Sequence, residues 1–243
     1  MDPHSNASIT AYLLSLPNRS SYAKATKDHA FLRSAANGTL TDTLLSLWLS
    51  QDRIYAAQAY PRFVGSLISH IPFRHPILVS STSPDHSQRI LKVLVFALEN
   101  IVREIEFFDN TAKEWSLDLD RWKERKGTRD YTAEMAKVSV TGKIEEGLLF
   151  LWAMEKVYLE AWSIVNDSLS VLEGASPALK AFAVNWSTPE FKAFVDDLAL
   201  LVDDIYRDLG RDAWTVAKDI WQRVTELEEG FWPNAEEEQL IQV

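Results

Sequence analysis

The run Gly147-Leu-Leu-Phe-Leu-Trp-Ala-Met-Glu155-Lys-Val-Tyr158-Leu-Glu-Ala-Trp162 limits the folds open to this chain more than any other stretch. Past its first residue it has no glycine or proline, and it is long enough for about four helical turns. Its side chains are apolar nearly all round, and a helix of that kind has to be enclosed on every side. The rest of the chain must therefore supply helices to surround it. Yet Glu155 sits in its middle, with Leu151, Trp152, Tyr158 and Leu159 as its helical neighbours. Lys156 points about 100° away. A carboxyl in that setting must be paired, hydrogen-bonded or neutral, because burying it alone as an anion is costly.

The remaining segments read as helices too. Only 8 of the 243 residues are glycine, and the nine prolines fall mainly between periodic segments. The expectation is an all-α protein with short connections. It spans residues 1–243 as a single domain, with 1–7 and 235–243 as flexible tails. Residues 8–16 form a short apolar opening. A helix over 20–36 stops at Asn37-Gly38, and one over 43–71 carries Pro61 as a kink. After a proline-rich loop over 72–84 comes an amphipathic helix over 85–110, with Ile90, Leu94, Leu98, Ile101, Ile105 and Phe108 as its stripe. A charged connection over 111–130 holds Trp115 and Trp122. Residues 131–140 are helical, and Gly142 precedes the central helix. Pro177 and Pro189 start two further helices, and the last two helices cover 190–209 and 211–232.

The net charge of −10 argues against nucleic acid or an anionic membrane surface as a partner. With no cysteine, disulfides, zinc–thiolate sites and a thiol nucleophile are excluded. The N-terminus lacks the apolar core of a secretion signal, and no run of 18 apolar residues occurs, so the expected location is cytoplasmic. All five histidines lie within the first 86 residues, and none forms a Glu-x-x-His pair. His29 reads as a packed or capping residue. Neither a metal nor a cofactor is expected. Glycine-rich phosphate loops and a Gly-x-Ser-x-Gly elbow are absent.

Two other acids share the character of Glu155. Asp52 has Trp48, Leu49, Tyr55 and Ala56 as helical neighbours; Glu228 has Val224, Thr225, Phe231 and Trp232. Three acids from three distant helices, each flanked by rings, could converge on one apolar pocket. Their pKa values would be pushed apart unless a cation lay between them. The matching ligand is small, flat and basic: rings stack on it and carboxylates accept its N–H groups. Core packing is the default reading for Tyr55, Tyr131, Tyr158 and Trp186, since periodicity alone does not show that any of these residues meet.

In order along the chain, Tyr22-Ala-Lys-Ala-Thr-Lys-Asp-His29-Ala-Phe31, Asn37-Gly-Thr-Leu, Leu49-Ser-Gln-Asp52-Arg-Ile-Tyr55, Glu104-Ile-Glu-Phe-Phe108, Asp130-Tyr131, Leu151-Trp-Ala-Met-Glu155-Lys-Val-Tyr158, Asn185-Trp-Ser-Thr-Pro-Glu-Phe191 and Glu228-Glu-Gly-Phe231-Trp232 resemble the TenA (thiaminase II-like) family. The likeness is closest to the branch in which a glutamate replaces the active-site cysteine. The resemblance implies a haem-oxygenase-like helical bundle. The implied activity is hydrolysis of the amino or formylamino group of 4-amino-5-aminomethyl-2-methylpyrimidine, giving the hydroxymethyl-pyrimidine in thiamine salvage. It implies Asp52 as the anchor of the pyrimidine amine, Glu228 beside the ring, and Glu155 as the replacement carboxylate. Tyr55, Tyr131, Tyr158, Trp152, Trp186 and Phe231 become the substrate-binding walls. The cysteine position falls near Phe150, which puts cleavage of thiamine itself in doubt. Arg53 departs from the family's usual aromatic. A homodimer or homotetramer, and a small aminopyrimidine as partner, are the further expectations. The competing reading is a protein that binds such a heterocycle without turning it over.

Overall fold

A computed structural model describes residues 8–17, 19–73, 86–141 and 143–240. The expected loop over 72–84 and Gly142 fall largely or wholly outside them. No strand occurs among the described residues, and the chain is a helical bundle. The order is α1 (Ile9–Ser15), α2 (Arg19–Ala23), α3 (Ala30–Ala36), α4 (Asp42–Ile54), α5 (Tyr60–Ser69), α6 (Ser87–Glu114), α7 (Lys126–Thr141), α8 (Ile144–Leu169), α9 (Pro177–Asn185), α10 (Pro189–Arg207), α11 (Arg211–Phe231) and α12 (Glu237–Leu240).

The central helix is α8, extended at both ends to 26 residues. Every residue from Gly147 to Glu155 is buried. Helices α10 and α11 pack along it most extensively, and α3, α5, α7 and α9 close the remaining sides. Glu145 and Glu146 lie in its first turn, where the exposed N–H groups favour negative charge. Pro177 and Pro189 sit in the first turns of α9 and α10, where a missing N–H costs nothing. Asn37-Gly38 ends α3, and Gly38 takes a φ of +74°, which glycine adopts without strain.

Three expectations change. The helix over 20–36 is broken: a π-helical turn over Lys24–Asp28 follows α2, and His29 then caps α3 by accepting the Phe31 N–H on Nδ1 at 3.2 Å. The helix over 43–71 is interrupted by a second π turn, Tyr55–Ala59, just ahead of Pro61. Proline has no N–H for the helical ladder and crowds the preceding turn, so that turn widens. The described part of the acidic tail, up to residue 240, is also tied down at Glu237. Buried Arg125 reaches Glu237 at 2.7 and 3.0 Å and donates to the carbonyls of Phe231 and Trp232. No described helix is long and apolar enough to cross a membrane.

Candidate active site

The widened turn at Tyr55–Ala59 decides what faces the centre of the bundle. In an unbroken helix Tyr60 would point about 80° away from Asp52, eight residues earlier. One extra residue in the turn brings it back to within about 20°. Asp52, Tyr55, Ala56 and Tyr60 consequently line one cavity. The Tyr60 N–H closes the wide turn by donating to the Tyr55 carbonyl. The neighbouring Gln51, fully buried, anchors this stretch: its Oε1 accepts from the Arg125 N–H at 2.7 Å and from Thr128 Oγ1 at 2.8 Å.

Helix α8 presents Met154, Glu155 and Tyr158 to the same cavity. The Tyr60 hydroxyl donates to Glu155 Oε1, which answers what the buried acid meets: a phenol rather than a cation. The Tyr158 hydroxyl donates to Asp52 Oδ2 at 3.0 Å. Its ring is held nearly parallel to Trp232, 13° apart, and edge-on to Trp186.

Glu228 arrives from α11 and Tyr131 from α7. The two helices approach so closely that a Cβ on Gly127 would lie 2.1 Å from the Gly230 carbonyl oxygen. That approach seats the Tyr131 hydroxyl on Glu228 Oε1 at 2.5 Å. Glu228 Oε2 is buried with no hydrogen-bond partner. The rings of Tyr55, Tyr131 and Phe231 pack against one another at 5.4–5.8 Å and form one wall.

A fourth acid completes the set. Glu104, from α6, accepts from the Trp186 indole N–H and lines the cavity beside Asn100, Ile101 and Phe191. The cavity encloses about 530 Å³ of space free of atoms, its mouth included. No Lys, Arg or His side chain is among the described residues that line it. Each of the four acids is thus met by one neutral aromatic donor and by no cation.

Electrostatics follow from that arrangement. Burial pushes Glu155 and Glu228 up to about 8, with only partial relief from the Tyr60 and Tyr131 hydroxyls. Glu104 is partly exposed as a residue, yet its carboxyl is enclosed enough to rise to about 7. Asp52 is raised well above its ordinary value by burial and then by Glu104, despite the Tyr158 hydrogen bond. With no cation beside them, Glu155 and Glu228 hold protons at neutral pH. A cation entering the cavity would release them.

Asp52, Glu155 and Glu228 do meet, together with Tyr55, Tyr131, Tyr158, Trp186 and Phe231. Trp152 does not line the cavity. It points about 110° from the face bearing Met154, Glu155 and Tyr158, and it stacks on Trp221 of α11 at 5.3 Å. Phe150 is buried against Phe63 and Tyr131, so no nucleophile occupies that position. Arg53 turns to Asp120, at 2.5 Å, away from the cavity. Sequence reasoning missed Glu104 and Tyr60. Glu104 lies on the apolar stripe of its helix, between Ile101 and Phe108, so the argument applied to Glu155 would have found it. Tyr60 carried no such signal, since only the π turn aligns it.

The model of the TENA/THI-4/PQQC family matches residues 17–238. Among solved structures, a TenA homologue from Pyrococcus furiosus has a TM-score of 0.76 at 22% identity, covering 92% of this chain and 98% of that one. A protein of Sulfolobus solfataricus P2, provisionally described as a TenA-like thiaminase, has a TM-score of 0.62 at 17% identity, covering 87% and 89%. At those identities the likeness shows the haem-oxygenase-like fold of TenA proteins. A curated relative from Fusarium pseudograminearum, provisionally described as a transcription factor, is 25% identical over 214 residues, covering 74% of this chain. The match spans 42% of that relative's own length.

Proposed function

The chain belongs to the TENA/THI-4/PQQC family, and from that premise we propose that it is a glutamate-type aminopyrimidine hydrolase acting in thiamine-pyrimidine salvage. Its substrate is 4-amino-5-aminomethyl-2-methylpyrimidine, or the formylamino form, and its product the hydroxymethyl-pyrimidine. The observation that carries this reading is the unpartnered Glu228 Oε2, buried in a cavity lined by three further acids and by three rings packed edge-on or tilted against one another. Such a site lacks what an aminopyrimidine brings: a flat ring and several N–H donors. The provisional description of the Sulfolobus protein as a TenA-like thiaminase agrees with it. The transcription-factor description of the Fusarium relative finds no support in the charge of this chain, −10, which repels nucleic acid.

The chemistry needs no thiol. The ring lies against Tyr55, Tyr131 and Phe231, with a ring nitrogen on Glu228 and the 4-amino group on Asp52. The aminomethyl arm then reaches Glu155. Glu228 shares its proton with the ring nitrogen, which draws electrons from the methylene carbon. Glu155, ionised once the cationic ligand is bound, takes a proton from water. The water oxygen forms the new C–O bond as the C–N bond breaks, and the departing ammonia takes up the proton from Glu155.

The test is ammonia release from that aminopyrimidine by the purified protein, with Glu155→Gln in parallel. Turnover in the wild type and its loss in the variant support the proposal. Saturable binding without ammonia would establish the binding-protein reading instead. That reading draws on the proton that burial keeps on Glu155 at neutral pH.

A further inference from the structure

The four acids are not equivalent in position. Asp52 feels Glu104, Glu228 and Glu155, and Glu155 also interacts with Glu104 and with Glu228. Their surroundings differ. Glu228 sits against the ring wall, with Tyr131 and Phe231. Glu104 instead borders a second depression that adjoins the cavity. Asn100, Glu104, Trp186 and Phe191 are common to both, and Arg103, Asn185, Thr188 and Glu190 line only the outer one. Glu104 is thus the acid at the mouth, partly exposed, with Trp186 fixing its carboxyl.

We propose that Glu104 is the subsite for a primary ammonium group, so that the cavity is built for a two-ended cationic ligand and prefers the free aminomethyl-pyrimidine to its formylamino form. This rests on the reading of the cavity as an aminopyrimidine site. With a ring nitrogen on Glu228, whose Oε2 is buried and unpartnered, and the 4-amino group on Asp52, the adjacent 5-aminomethyl group is directed toward Glu104. An ammonium there meets a carboxylate and the Asn100 side chain. A formamide there carries no charge and presents a carbonyl oxygen to a carboxylate, which repels it. The ammonia formed on hydrolysis is also released beside the mouth, where it leaves without crossing the ring. Glu104 makes no bond to the reacting carbon in this scheme; it selects and orients the leaving group.

Equilibrium binding of the free amine and of its formyl derivative, measured by calorimetry at neutral pH, tests the inference without requiring turnover. The wild type is expected to favour the amine. Glu104→Gln is expected to weaken the amine about tenfold or more, the size of a lost charged hydrogen bond, and to leave the formyl derivative within about twofold. Because the readout is a ratio within one protein, a general loosening of the fold would not imitate it. Trp186→Phe removes the hydrogen-bond donor to Glu104 but keeps the charge, and should keep the preference. Equal losses for both ligands in Glu104→Gln, or no loss for either, would overturn the assignment of Glu104 while leaving the aminopyrimidine site intact. If neither compound binds the wild type, the reading of the whole cavity falls and this inference with it.

Discussion

Tyr131 donates its hydroxyl to Glu228 Oε1 at 2.5 Å, and the carboxyl's other oxygen is buried with nothing to accept from. One oxygen is satisfied by the protein and the other awaits a partner from outside it. Leaving a buried polar group unmet costs about 1–3 kcal/mol, and that deficit is returned when a ligand ring nitrogen shares its proton. Glu228→Gln should therefore weaken aminopyrimidine binding about tenfold or more. Calorimetry on the variant measures the loss directly.

Glu155→Gln is expected to lower kcat by about 10²–10⁴-fold, the usual worth of a positioned general base. Single-turnover assays separate this from any change in binding. A variant with wild-type kcat would remove Glu155 from the chemistry.

Tyr60→Phe should move the pH–rate profile. The Tyr60 hydroxyl offsets part of the burial that drives Glu155 up to about 8. Without it the carboxyl rises further, so the acidic limb of the profile should shift to higher pH with the maximal rate less affected. An unshifted limb would show that Glu155 is not the group titrating there.

The empty protein should lose stability as the pH rises. Glu155 and Glu228 go from an ordinary value of 4.5 in the unfolded chain to about 8 in the folded one. The folded state thus holds more protons between these limits. The stability this confers is complete below the unfolded value and is lost as pH climbs through about 8. Melting temperatures from pH 5 to 9 should fall, and fall less steeply in Glu155→Gln or Glu228→Gln. A saturating cationic ligand should flatten the slope in the wild type.

Gly127→Ala tests the helix approach that seats Tyr131 on Glu228. The added Cβ would lie 2.1 Å from the Gly230 carbonyl oxygen, and backbone rather than a flexible side-chain tip would have to move. The expected cost is about 1–3 kcal/mol, as for other overpacked contacts, read as a lower melting temperature. Loss of ligand affinity beyond that of a neutral surface variant would show that the spacing serves the site.

Much of the outline was legible without coordinates. The apolar run at 147–162 required an enclosed helix, and α8 is one because no side of it can face water at acceptable cost. Pro177 and Pro189 marked their helix starts because the first turn needs no N–H from them. Asp52, Glu155 and Glu228 stood out as acids among rings, and they do line one cavity. What periodicity reports, however, is direction around a helix's own axis. It made Trp152 a neighbour of Glu155, and only the packing of α11 showed that this ring belongs to Trp221. The π turn before Pro61 rotates Tyr60 onto the cavity, and the Gly127–Gly230 approach sets the distance between α7 and α11. Helix-to-helix distances and breaks in helical phase arise from contacts between segments far apart in the chain. Those contacts brought Glu104 to Asp52, gave each acid its aromatic donor, and left Glu228 one oxygen short of a partner.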